Sequence, residues 1–195
     1  MGRPREFDAD DALQTALELF WRKGYEGTSI TDLTDGMGIT KPSLYGTFGN
    51  KEELFRMALA RYEQNYLAFF WSALEQPDAR TVAFDILRGF VEAQTQSCNP
   101  AGCLVVNAAT ACSDAALEIH KTIVERIQTA QKALTRRFER AKREGDLPAD
   151  SNPEDLARFI MTVQQGTAVQ ASNGAGREEI YRLIDLAMKS FPGQN

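Results

Sequence analysis

Residues 28–54, TSITDLTDGMGITKPSLYGTFGNKEEL, limit what this chain can fold into more than any other stretch. Ser29 can accept hydrogen bonds from the free N–H groups at a helix start, and Ile30, Leu33 and Met37 follow at helical spacing. Gly36, Gly38 and Ile39 supply a tight turn, because glycine adopts backbone angles that side chains disfavour. Thr40 can cap a second helix, and Pro42 suits its first turn, where a missing N–H costs nothing. Leu44 and Phe48, four apart, turn one face of that helix back onto the first. Two short helices joined in this way form a helix-turn-helix, whose second helix enters the DNA major groove.

The rest of the chain reads as helix without strands. Residues 7–23 carry apolar positions at helical spacing, Ala12, Leu13, Ala16, Leu17 and Phe20 among them, and Gly24 ends that run. Asn50 caps a long helix over 51–74, with Pro77 beyond its end. Residues 78–97 keep a helical period through Val82, Ile86, Phe90 and Val91, and the segment CNPAGC breaks it. Residues 104–111 are a short apolar helix, expected to be buried on most sides. A long amphipathic helix follows over 114–144, then a loop over 145–151. Asn152, Pro153, Glu154 and Asp155 form a strong helix start, and two helices, 152–171 and 177–191, close the chain. The expected fold is all-α, with about nine helices. A head over 1–50 joins a second domain over 51–195.

At residues 28–54 the chain resembles the TetR/AcrR family of bacterial transcriptional regulators. The resemblance is carried by an ordered string: Gly24-Tyr25, Thr28-Ser29, Ile30, Leu33, Gly38-Ile39-Thr40, Leu44-Tyr45, Phe48, Lys51-Glu52 and Leu54. It implies a homodimer that reads a palindromic operator in double-stranded DNA and responds to a small-molecule effector. The second helix offers Lys41, Ser43, Tyr45 and Thr47 as outward groups, with Thr40 at its cap. Lys41 can reach a guanine edge or a phosphate, and Ser43 and Thr47 can bond several bases. Tyr45 looks like the family's phosphate-contacting tyrosine. Lys51 adds a charge beside free helix N–H groups, and Thr28 and Ser29 can reach phosphate through their hydroxyls. Gly46 and Thr47 depart from the commoner family pattern, which alters what the second helix reaches. Arg3 and Arg5 lie on a short basic arm that either enters an A·T-rich minor groove or stays solvated.

Charge alone does not announce a DNA partner. The net charge is −5, and residues 1–60 hold more acidic than basic side chains, so a local basic face must suffice. Glu6, Asp8, Asp10 and Asp11 gather at the first helix start, where the helix dipole favours them. A hydrophobic fraction of 43% and a charged fraction of 25% are ordinary for a globular protein. No apolar run nears the roughly 20 residues that span a bilayer, and the N-terminus lacks a signal-peptide core, so the expected compartment is the cytoplasm, with no membrane partner. No phosphate-binding loop, nucleophile elbow or catalytic constellation is present, which argues against an enzyme, and no cofactor is implied.

By the same resemblance, the last two helices pair with their symmetry mates. Phe159, Ile160, Val163, Gly166, Thr167 and Val169 are the interface candidates, with closure of the monomer core as the other reading. The string Ala101-Gly102-Cys103-Leu104 with Asn107-Ala108 is similar to a subgroup of the family. The effector pocket is expected among the helices that start near 51, 78, 102 and 114. Phe69, Phe70, Trp71, Phe90, Gln94, Cys103, Asn107 and His120 are its candidate lining. Asn107, polar in an apolar helix, needs either a backbone or a ligand partner. Cys98, Cys103 and Cys112, with the sole histidine His120, admit three readings: buried small hydrophobes, a redox or electrophile sensor, or a soft-metal site. Their spacing matches no recognised metal motif.

Overall fold

The computed structural model describes residues 7–109 and 116–192; Arg3, Arg5 and Cys112 lie outside them. Those residues form ten α-helices and no strand. They are α1 (Ala9–Gly27), α2 (Ile30–Met37), α3 (Lys41–Phe48), α4 (Lys51–Tyr66), α5 (Ala68–Ala73), α6 (Ala79–Thr95), α7 (Leu104–Ala109), α8 (Leu117–Arg143), α9 (Pro153–Ser172) and α10 (Arg177–Lys189).

Side-chain caps start the helices of the head. Asp8 accepts the N–H of Asp10 at 2.7 Å, Ser29 that of Asp32 at 3.0 Å, Thr40 that of Ser43 at 3.3 Å and Asn50 that of Glu53 at 2.9 Å. Ser29 and Asn50 complete capping boxes, since Asp32 and Glu53 reach back to the cap N–H groups. Helical geometry in α1 breaks at Gly24, where the expected end falls. Gly38 ends α2 at φ 66°, the left-handed conformation that the turn requires. Gly36 belongs to α2 instead of the turn, and its missing side chain lets Leu19 of α1 approach.

Two expected boundaries move. The helix expected over 51–74 divides at Leu67 (φ −118°, ψ 4°) into α4 and α5. No glycine or proline marks the break. Its consequence is tertiary: Phe70 turns inward against Phe90, and the Phe69 ring packs against Gly89. Helix α10 ends at Lys189, and Phe191 beyond it is buried against Phe138, with its carbonyl accepting from Arg80 at 3.0 Å. The basic run of α8 is not uniformly solvated either. Arg137 is buried and donates to the carbonyls of Leu74, Gln76 and Pro77, which holds the turn between α5 and α6.

Two cores result. One joins α1, α2 and α3 to α4, α7 and the start of α8, with Phe20, Trp21, Leu33, Leu44, Phe55 and Tyr62 at its centre. The other joins α5, α6, α9 and α10 to the second half of α8. Leu67 and Ile127 pack against both. No helix among the described residues is long and apolar enough to cross a membrane.

Candidate nucleic-acid interface and effector cavity

Helix α3 separates its two faces sharply. Leu44 and Phe48 are buried, whereas Lys41, Tyr45, Gly46 and Thr47 are exposed. Tyr45 stands 50% exposed, so its ring is free to meet a partner. Ser43 is half-buried, with its hydroxyl 2.9 Å from that of Thr40. Lys51 opens α4 with its Nζ 4.4 Å from the centre of the Tyr25 ring, a cation–π contact that helps to aim the charge. Partial burial pushes the Lys51 ammonium down, while Glu26 and Asp32 pull it up. Ser29 is exposed at the start of α2, and its hydroxyl donates to Asp32 at 2.5 Å.

Thr28 behaves differently from the expectation. It is fully buried, and its hydroxyl donates to the Gly24 carbonyl at 2.7 Å. Thr28 therefore holds the α1–α2 corner and presents no hydroxyl to a phosphate.

The head is fastened to the body through Trp21. Its indole N–H donates to the Gly102 carbonyl at 3.2 Å, and its own carbonyl accepts from Asn107 at 3.0 Å. The ring lies edge-on to Tyr62 and Tyr66, with centroids 4.7 and 5.1 Å away. Tyr62, fully buried, donates to the Cys103 sulfur at 3.4 Å. Gly102 sits at φ 89°, and a methyl there would lie 2.0 Å from the Ser172 hydroxyl, so only glycine fits between α7 and α9.

Where the two cores meet, a cavity of about 170 Å³ opens. Phe70, Trp71, Phe90 and Cys103 line it, as expected. Leu67, Val105, Val106, Ile127 and Met161 supply more apolar wall. Four expected lining residues lie elsewhere. Phe69 packs on Gly89 and edge-on to Phe90, Gln94 has its amide bonded to the Gln164 carbonyl and the Thr167 hydroxyl, and Asn107 bonds the Trp21 carbonyl. His120 is half-buried on α8 outside the cavity, and its Nδ1 has no hydrogen-bond partner among the described residues. The expected list lacks the cavity's polar groups: Glu63 and Arg126, paired at 3.0 Å, and Gln164 and Gln165.

Among the described residues, no three His, Cys, Asp or Glu side chains converge to hold a metal ion. Cys98 is exposed and Cys103 buried. Burial pushes the Cys103 thiol up, which keeps it protonated and weakly nucleophilic near neutral pH.

On the outer side of α9 and α10, Val169, Leu183 and Leu186 are exposed at 49%, 44% and 62%, with Phe159 and Val163 half-buried and Gly166 exposed. Ile160 and Thr167 do not share that face. Ile160 is fully buried, and Thr167 donates to Gln94 and to the Gln164 carbonyl inside the monomer. Leu183 and Leu186 join that face, and their spacing on an amphipathic helix is the sequence signal that finds them.

Residues 12–58 match the family described as bacterial regulatory proteins, tetR family, and residues 83–182 match the tetracyclin repressor-like C-terminal domain. The chain is 32% identical over 193 residues to the HTH-type transcriptional repressor ComR of Escherichia coli strain K12, covering 98% of this chain and 92% of that protein. It is 28% identical to the HTH-type transcriptional repressor BdcR of the same strain, over 95% and 90% of the two chains. A triple-cysteine mutant of the TetR family transcriptional regulator CifR, solved in complex with 26-bp double-strand operator DNA, matches with a TM-score of 0.91 and 38% identity. The match covers 98% of this chain and 100% of that one. With both family segments matched in order and a full-length relative above 30% identity, this chain belongs to the TetR family of bacterial regulatory proteins.

Proposed function

We propose that this chain is a cytoplasmic, homodimeric repressor that binds a palindromic operator and leaves it when a small molecule fills the cavity between its two cores. The observation that carries the reading is α3, with Lys41, Tyr45 and Thr47 exposed along one side and Leu44 and Phe48 buried along the other. ComR and BdcR are described as repressors, and the CifR mutant was solved on operator DNA, which supports the same role here. The head over 1–50 reads the DNA, with Lys41, Ser43 and Thr47 facing bases and Tyr45, Lys51 and the Ser29 helix start facing phosphates. Arg3 and Arg5 extend that contact into the minor groove. The domain over 51–195 pairs two copies through α9 and α10, which sets two heads about 34–36 Å apart, or a multiple of that.

Release follows from the Trp21 fastening. The segment from Gly102 to Asn107 bonds Trp21 on one side and lines the cavity on the other through Cys103, Val105 and Val106. An occupant that favours a shifted α7 moves α1 with it, and so shifts the dimer away from the operator-matching head spacing. The exposed Cys98 is the better thiol-sensing candidate, because Cys103 is buried and protonated.

Fluorescence anisotropy against the chain's own upstream DNA and a scrambled control tests the reading. Preference for the operator by about 10³-fold or more is expected near physiological salt. Tyr45→Ala and Lys51→Ala should weaken binding to both DNAs, whereas Lys41→Ala and Ser43→Ala should change the preference by about 1–3 kcal/mol. Equal losses on both DNAs for all four variants would sink this division of roles. No binding to either DNA would leave a helical dimerisation module without DNA specificity.

A further inference from the structure

We infer that the effector of this chain is uncharged: a single-ring, mostly apolar molecule with one hydrogen-bonding group that meets the side-chain amide of Gln164. The inference rests on the cavity being the effector site and adds the ligand's chemistry to it. Three observations carry it.

Size comes first. An apolar cavity of about 150 Å³ takes a benzene ring, and this one holds about 170 Å³. That leaves room for a short substituent on one ring.

Charge comes second. The two ionised groups of the lining, Glu63 of α4 and Arg126 of α8, pair with each other at 3.0 Å. Burial pushes the Glu63 carboxyl up, and the Arg126 guanidinium offsets this. The wall is thus already neutral. A carboxylate that took Arg126 would leave Glu63 partly buried without its counter-ion. An ammonium would have to displace the half-exposed Arg126 guanidinium from Glu63, or enter beside a pair that already cancels. Either ion is desolvated without compensation, whereas an uncharged molecule is not.

The anchor comes third. Gln164 is 3% exposed and lines the cavity, yet no hydrogen bond among the described residues holds its side-chain amide. Its backbone carbonyl is occupied by Gln94 and Thr167, which fixes the residue and leaves the amide free, and it is more deeply buried than its neighbour Gln165. A buried amide needs a partner, and it can donate to or accept from a hydroxyl or carbonyl. The Thr129 hydroxyl already donates to the Glu125 carbonyl, which leaves it only as an acceptor, whereas the amide can do both.

Titration calorimetry on the full-length protein at neutral pH, with benzyl alcohol, benzoate and benzylamine, tests the inference. These probes share one ring and differ in charge. Benzyl alcohol should bind about tenfold or more tightly than either ion. Gln164→Leu should erase most of that binding while leaving toluene, the apolar analogue, unaffected. Glu63→Gln frees Arg126 and should raise benzoate affinity about tenfold, a gain that a merely unfolded variant cannot show. Equal binding of an ion and the alcohol to the native chain overturns the proposal. So does heat from none of the probes at millimolar concentration. Operator anisotropy in the same buffer separates the two readings: intact operator binding without the expected ligand order fails the ligand class alone, and lost operator binding fails the regulator.

Discussion

Gly46 is the weak residue of the recognition helix. It lies inside α3, fully exposed, and a methyl group there would meet no neighbouring atom within 4 Å. Glycine in a helix interior costs roughly 1 kcal/mol relative to alanine, mostly through the entropy of the unfolded chain. Gly46→Ala should therefore raise the melting temperature by about 2–4 °C for a chain of this size. Thermal unfolding followed by circular dichroism measures it, and an unchanged or lower midpoint would mean that α3 is not helical there in solution. Single residues also show how far sequence reasoning reaches. Ser29, Thr40, Asn50 and Asn152 cap as expected, because a cap acts within three residues of itself. Thr28, Gln94 and Thr167 are polar residues whose partners come from another turn or another helix, and nothing local announces that. Gln164 and the Glu63–Arg126 pair escaped notice for the same reason, since their neighbours are 70 and 63 positions away.

At the level of helices, the amphipathic pattern located nearly every element, and the misreadings are those of tertiary origin. The break at Leu67 has no local breaker, so only the burial of Phe70 under α6 reveals it. The start of α2 shows the opposite case, a local network strong enough to titrate. Asp32 accepts from the Ser29 N–H at 2.8 Å, the Ser29 hydroxyl at 2.5 Å and Lys23 of α1 at 2.5 Å. Foremost the Lys23 hydrogen bond, then those from Ser29, hold its carboxyl well below the usual carboxylate range. In the unfolded chain the same group titrates near its ordinary value of about 3.9. The network's contribution is therefore complete above about pH 4 and is lost progressively as pH falls towards the folded value. Asp32→Asn should melt below the native chain at pH 7, and the gap should narrow as the pH is lowered from 4 to 3. A gap that stays constant over that range would show that Asp32 stabilises α2 without its charge.

For the molecule as a whole, the proposed dimer rests on an exposed apolar face. Val169 of α9 and Leu183 and Leu186 of α10 are exposed on two helices whose opposite faces fill the second core. Gly166, exposed and open to a methyl group, lets another helix approach closely along the same side. Ile160 and Thr167 have been claimed by the monomer, so the face is narrower on α9 and extends further onto α10 than the sequence suggested. A second copy related by a two-fold axis would cover it with the same residues, forming a four-helix bundle. Leu186→Arg places a charge among these apolar side chains without touching the monomer core, since Leu186 is 62% exposed. Sedimentation velocity should then show a folded monomer, against the dimer expected of the native chain. The DNA arm follows from the loss of bivalency. One head can still meet one half-site, but the second contact is no longer intramolecular, and operator affinity should fall by about 10²–10⁴-fold. Binding to an isolated half-site should not change, because α3 and its supports lie in the other core. A Leu186→Arg variant that still sediments as a dimer would move the interface off α10, whereas equal loss on half-site and full operator would mean that the substitution had damaged the head.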